Sequence, residues 1–359
     1  MTLTELSYYL RRFVPLVAFT VVVFGGMFIG VNMYLKSQEK PVVRVFTPAF
    51  GKLPALQVMN AVPYPPSPEF KLENIIGRPV TSTDSARVMY IPPTVTRLGY
   101  VTQLTLMGQA AGFETQVDGY TLNGLTARYE NPERSLTVDI TNFNFTYELN
   151  YQAKPEIFDT ATIPKNEDTA KEGAKAYLRK MGKYTSDLSR GYESVLYLRY
   201  DTITDTLQVV PDSSQANVVE VGFFRENIDA LTAVSETFYK SHNYVIMVFS
   251  AQNPETPIVI KSQVKYFDKD AESAATYPLK TGDEAWAELI SGRGAIVSAG
   301  QNTNQITVRD MYVGYYDPTT YMEYLQPVYV FLGDNNFAAY VPAVKSEYTD
   351  GVQLTIPTP

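Results

Sequence analysis

The sequence predicts an α+β ectodomain whose antiparallel sheets are each preceded by a helix. A single N-terminal transmembrane helix and an extended proline-rich stalk hold it at a membrane. Three observations predict this. Residues 13–35, FVPLVAFTVVVFGGMFIGVNMYL, contain no charged side chain. Three later segments carry apolar side chains at three- and four-residue steps, and each is followed by alternating, strand-like runs. The composition holds 27 tyrosines against one tryptophan and one histidine, a profile of many half-buried strands.

As a helix, residues 13–35 would span roughly 35 Å, enough for a hydrocarbon core of about 30 Å with some tilt. A helix is the single-segment way for backbone in lipid to satisfy its own N–H and C=O groups. The run is longer than the apolar core of a cleaved signal. Asn32-Met33-Tyr34-Leu35-Lys36, which follows, offers no small-x-small cleavage site. The sequence has no cysteine, so lipoprotein processing, disulfides, thiolate metal sites and cysteine nucleophiles are excluded.

The expected layout is a cytoplasmic tail over 1–12, a transmembrane helix over 13–35 and a body outside the cell membrane. Arg11 and Arg12 precede the run while Lys36, Lys40 and Arg44 follow it. The orientation therefore rests on a short head before a long domain, not on flanking charge. Gly26 and Gly30 form a GxxxG that lets two such helices approach closely, which points to a homodimer through the anchor.

Pro41, Pro48, Pro54, Pro63, Pro65, Pro66 and Pro68 predict a semi-rigid stalk over 36–80. A formal net charge of −8 excludes a nucleic-acid partner, which needs a basic stripe. A hydrophobic content of 45% suits a packed core.

A first α+β lobe is expected over 81–160. Leu98, Val101, Leu104, Met107 and Ala111 predict a helix within 94–112, with Gly112 ending it. Strands follow over 120–129 and 134–151, with a turn at Asn131-Pro132.

The remainder, 161–359, opens a second cycle with Asn166 as N-cap and Gly182 past the helix end. Strands are expected over 195–200, 207–210, 218–224, 244–249 and 258–267. The third cycle starts at Thr281-Gly282-Asp283-Glu284, a capping box. Ala285, Trp286, Leu289 and Ile290 form its buried face and Gly292 stops it. Strands over 305–316, 326–332 and 337–344 follow, the last two joined by a turn at Gly333-Asp334-Asn335-Asn336.

Within 218–344 lie VEVGFFRENID, DEAWAELISGRG and ITVRDMYVGYYDPTTYMEYLQPVYVFLG. In this order they resemble the YycI/YycH-type membrane-anchored accessory proteins and the related PepSY-like extracytoplasmic modules. The positions that carry the resemblance are structural: the cap Thr281 and Glu284, Trp286, Gly292 with Gly294, the pair Tyr315-Tyr316, and Pro327 in Leu325-Gln326-Pro327-Val328. The resemblance implies an accessory protein that restrains a sensor histidine kinase through anchor helices and ectodomains. The stalk and the first cycle depart from that pattern.

His242 is the sole histidine, and Ser241-His242-Asn243-Tyr244 reads as an exposed loop before a strand. HExxH is absent. S-x-x-K occurs at Ser37–Lys40 and Ser262–Lys265, and Lys280-Thr281-Gly282 spells KTG. The expected local structure is wrong for a serine–lysine enzyme at each of the three. Asp268, Asp270 and Glu272 alternate as in a calcium loop, but Ser273 and Leu279 stand where that loop needs Gly and Glu.

No catalytic residue, cofactor ligand or metal ligand is singled out. The expected function is a non-enzymatic, single-pass membrane protein that binds or regulates another protein of the bacterial cell envelope. The alternatives are a glycan- or peptide-binding module and a cell-wall hydrolase.

Overall fold

Antiparallel sheet dominates the computed structural model, which describes residues 46–59, 61–164, 166–252, 256–299, 304–350 and 354–355. The run 13–35, with Gly26 and Gly30, lies outside the described residues. Among the described residues, no helix is long and apolar enough to cross a membrane.

The helices are α1 (Tyr100–Ala110), α2 (Glu167–Lys180), α3 (Ser186–Arg190) and α4 (Gly282–Ile290). Strands longer than two residues begin with β1 (Glu69–Leu72), β2 (Ser85–Tyr90), β3 (Tyr120–Asn123), β4 (Thr126–Asn131), β5 (Arg134–Asp139) and β6 (Phe145–Leu149). Next come β7 (Glu193–Asp201), β8 (Thr206–Val209), β9 (Val218–Phe223), β10 (Tyr244–Ser250) and β11 (Ile258–Val264). The last are β12 (Ala274–Pro278), β13 (Ala295–Ser298), β14 (Gln305–Tyr316), β15 (Pro327–Gly333) and β16 (Phe337–Pro342).

The larger sheet runs β8-β7-β9-β10-β11-β6-β5-β4-β3, with Ala161–Thr162 added beside β10. An antiparallel meander, 120–149, meets a second antiparallel set, 193–264, where β6 pairs with β11; in the second set β9 returns to pair with β7, leaving β8 on the outside. α2 buries Ala170, Ala174 and Leu178 in the core of this sheet, together with Leu104 and Met107 of α1. The boundary expected at 160/161 therefore cuts through one sheet: β6 lies on one side of it and β11 on the other.

The second core joins residues 47–90 to residues 274–355. β14, β15, β16 and β13 pair in that order, and β1 lies parallel to β14. β2 sits between β12 and Tyr324–Leu325 in a separate three-stranded sheet. Leu56–Gln57 pairs in parallel with Leu354–Thr355.

The stalk expected over 36–80 is corrected from Thr47 onward. Leu53, Leu56 and Val58 are fully buried, and Phe50 packs on Tyr324 at 4.9 Å between ring centroids. Prolines break hydrogen-bond ladders, but the apolar side chains between them bury enough surface to fix an irregular, extended path.

Local signals place the elements. The Asn166 side chain accepts from Thr169 N at 2.9 Å, capping α2. At α4, Thr281 Oγ1 accepts from Glu284 N at 3.2 Å while Glu284 Oε2 accepts from Thr281 N at 2.7 Å, closing the capping box. Ala285 and Leu289 of the expected face are buried, Trp286 is half-buried, and Ile290 is exposed.

Two predicted strands prove to be hairpins. The run 120–129 turns at Gly124-Leu125, with Gly124 at φ 59°. The run 134–151 breaks because the Asp139 carboxylate accepts from Thr141 N at 2.8 Å and Asn142 Nδ2 at 3.0 Å. Those bonds favour a turn over a strand.

Candidate functional site

Of the residues that carry the sequence resemblance, Gly294, Tyr315, Tyr316 and Pro327 are buried, Trp286 is half-buried, and Thr281, Glu284 and Gly292 are exposed. Tyr315 on β14 stands opposite Pro327 on β15, and its hydroxyl donates to Arg87 O at 2.7 Å. Tyr316 packs on Tyr340 at 5.9 Å. Trp286 meets Phe331 of the same sheet at 6.1 Å and Phe70 of β1 at 6.3 Å. Gly292 ends α4 at φ 77°, a backbone region that side chains with a Cβ disfavour.

The expectation of an exposed His242 is corrected. The residue is buried, and its Nε2 lies 3.5 Å from Asp317 Oδ2. Neither ring nitrogen makes a hydrogen bond of ordinary geometry. Burial pushes the imidazole below its usual value, and Asp317 and Glu236 oppose that only in part.

His242 borders a buried ionic joint centred on Arg225, whose side chain is 0% exposed. Arg225 follows β9. Its Nε donates to Asp317 Oδ1 at 2.8 Å, Nη1 to the Tyr266 hydroxyl at 3.2 Å and Nη2 to Phe267 O at 2.7 Å. The Tyr266 ring centroid lies 4.2 Å from the guanidinium carbon.

Asp187 of α3 stands 3.6 Å from Nη1 and pairs with Lys269. Burial pushes the Asp187 carboxyl up, but Lys269, Tyr266 and Arg225 more than reverse this and hold it below the ordinary range. A guanidinium this buried needs such partners, because an unpaired buried charge is strongly destabilising. The joint ties segments next to both cores: β9, β11 and α3 on one side, β14 on the other.

Sequence reasoning missed Arg225, Asp187 and Asp317. The available signal was a charge directly after an apolar strand, as in Val-Gly-Phe-Phe-Arg and Gly-Tyr-Tyr-Asp.

Ser37 and Lys40 lie outside the described residues, and among the described residues the serine–lysine pattern does not assemble. Ser262 lies in β11, buried, and its Oγ donates to Tyr244 O at 3.0 Å. Lys280 Nζ bonds Glu288 at 2.6 Å and Pro342 O at 2.8 Å. Asp270 closes a turn, accepting from Glu272 N at 3.0 Å and Ser273 Oγ at 2.6 Å.

Among the described residues, nothing pairs with the two ends of the large sheet. β3 and β8 are its outermost strands. Leu122 of β3 and Leu125 beside it are exposed, as are Val209 of β8 and Ile203 in the turn before it.

No family model matches this chain. No curated relative matches it either. A solved structure of an uncharacterized protein from Eubacterium rectale aligns with 80% of this chain and 91% of its own, at 11% identity and a TM-score of 0.39. A likeness at that level carries no argument about fold or function.

Proposed function

We propose that the chain is a non-enzymatic, single-pass membrane protein whose body lies outside the cell membrane and binds another envelope protein. The YycI/YycH resemblance makes a sensor histidine kinase one such partner. The observation that carries the reading is the β3 edge of the ten-stranded sheet, with Leu122 and Leu125 exposed at its hairpin. An unpaired edge offers backbone donors and acceptors to an added strand, and exposed apolar side chains give that strand something to cover.

The test is capture of a partner by the tagged full chain after mild detergent extraction. A stoichiometric partner is expected with the native chain and lost with Leu122→Lys, since a lysine on an edge strand discourages added strands. Recovery of no stoichiometric partner, or equal recovery by the variant, would overturn the reading. Protease added to intact cells should digest the body; a body protected until permeabilisation would place it in the wrong compartment.

A ligand-binding module is the second reading. It is favoured by one cleft in the larger core.

A further inference from the structure

Between α2 and the large sheet lies a cleft of about 440 Å³. Three cations line it, Arg134, Lys154 and Lys180, and among the described residues its lining includes no Asp or Glu; Glu133 beside it pairs with Arg134 at 3.2 Å and Lys154 at 2.7 Å, so the excess positive charge of the lining rests on Lys180. That is unexpected in a chain with a formal net charge of −8, where a cleft lined by one sign concentrates the field on an oppositely charged ligand. The phenols of Tyr147 and Tyr177 share it, with Leu149, Ile157 and Val259 as apolar wall.

Two donors in this lining have no hydrogen-bond partner. Arg134 Nη1 is taken up by Ala111 O and Gly112 O, each at 3.1 Å, and Nη2 by Glu133 at 3.2 Å. Its Nε is buried and unpaired, and so is the Tyr177 hydroxyl. Leaving a buried donor unpaired is unfavourable, so an acceptor that reached both would be held by groups that gain from it. Burial raises the Tyr177 phenol well above its ordinary value, though Arg134 opposes this, which keeps it a donor at neutral pH.

We propose that this cleft binds a carboxylate carried on a short apolar or peptidyl chain. The acid would accept from Arg134 and Tyr177 with Lys180 as counter-charge, and the chain would lie along the apolar wall. The Nε–H of Arg134 and the Tyr177 phenol suit the two oxygens of a carboxylate. A phosphate, with more oxygens to satisfy, would find Nη1 already given to two backbone carbonyls. The β3 edge plays no part, so failure here leaves the partner reading standing, and the reverse also holds.

Two sources share this chemistry, a free acyl carboxylate and the C-terminus of a peptide. Calorimetric titration of the full chain in detergent with hexanoate, N-acetyl-alanyl-alanine, the amide of that dipeptide and inorganic phosphate separates them. At least one carboxylate should bind and the amide should bind at least about tenfold more weakly, the worth of a charge-assisted contact. Hexanoate binding alone assigns a free acid, and dipeptide binding alone a chain end. No carboxylate binding, an amide equal to its acid, or phosphate equal to carboxylate would overturn the proposal.

Tyr177→Phe removes one oxygen and keeps the ring, so it should weaken carboxylate binding about tenfold without lowering Tm. Lys180→Gln, at an exposed position, should weaken binding less and flatten its salt dependence. A Tyr177→Phe variant with a raised Tm and unchanged affinity would make the unpaired hydroxyl a packing flaw and end the assignment.

Discussion

His242 stands 3.5 Å from the Asp317 carboxylate, with Arg225 and Glu236 also acting on it. In the unfolded chain its imidazole takes up a proton near pH 6.5. Burial holds the folded value lower, so below that pH the unfolded state binds more protons and stability drops as acid is added. The drop should have a slope of at most about 1.4 kcal/mol per pH unit and level off once the folded value is passed. Urea midpoints at pH 7.5 and 5.5 check this: the native chain should lose stability between them, and His242→Asn should lose less. A variant with the same slope would assign the effect elsewhere. None of this was legible beforehand, because the residue types around Ser241-His242-Asn243 are those of a surface loop. The neighbours that bury it arrive from far along the chain, as with Arg225 and Asp317, 92 positions apart.

The elements were the legible part, because the signals that start and stop them are local. Asn166 caps α2 and Gly182 follows it at φ 68°; Thr281 caps α4 and Gly292 follows it at φ 77°. The turn at Gly333-Asp334-Asn335-Asn336 likewise joins β15 and β16, with Asn335 and Asn336 at φ 57° and 61°. Thr281→Ala should therefore lower stability by about 1 kcal/mol, read as a shift in the denaturant midpoint with unchanged slope. A shift indistinguishable from zero would mean that Gly282 N, which donates to Thr81 Oγ1 at 2.8 Å, and the packing of α4 hold its first turn without the cap. The failures at this scale were also local. The alternation over 134–151 spoke for one strand, while the side-chain bonds of Asp139 and Asn142 favoured a turn.

For the whole molecule, the segment read as a stalk belongs to the body from Thr47 onward. A fragment of 81–359 would remove β1, which pairs with β14 along four residues. It would also strip Leu53, Leu56 and Val58 from the second core. Deleting even one buried leucine side chain costs about 2–5 kcal/mol. The 81–359 fragment should lose its cooperative thermal transition or aggregate, whereas 47–359 should retain the transition. Equal transitions in the two would return residues 47–80 to the role of spacer. Composition could not reveal this, since proline spacing reports local stiffness and not what the intervening side chains touch.

Leu56 faces Leu354 across a parallel pair, and Leu53 N donates to Tyr348 O at 2.8 Å. Residues 53–57 thus have to wait for partners that lie far later in the chain. A chain emerging in order can complete the 120–264 sheet first, but Leu53 and Leu56 stay uncovered until residues 348–354 have followed. That interval is when such a chain most needs a chaperone.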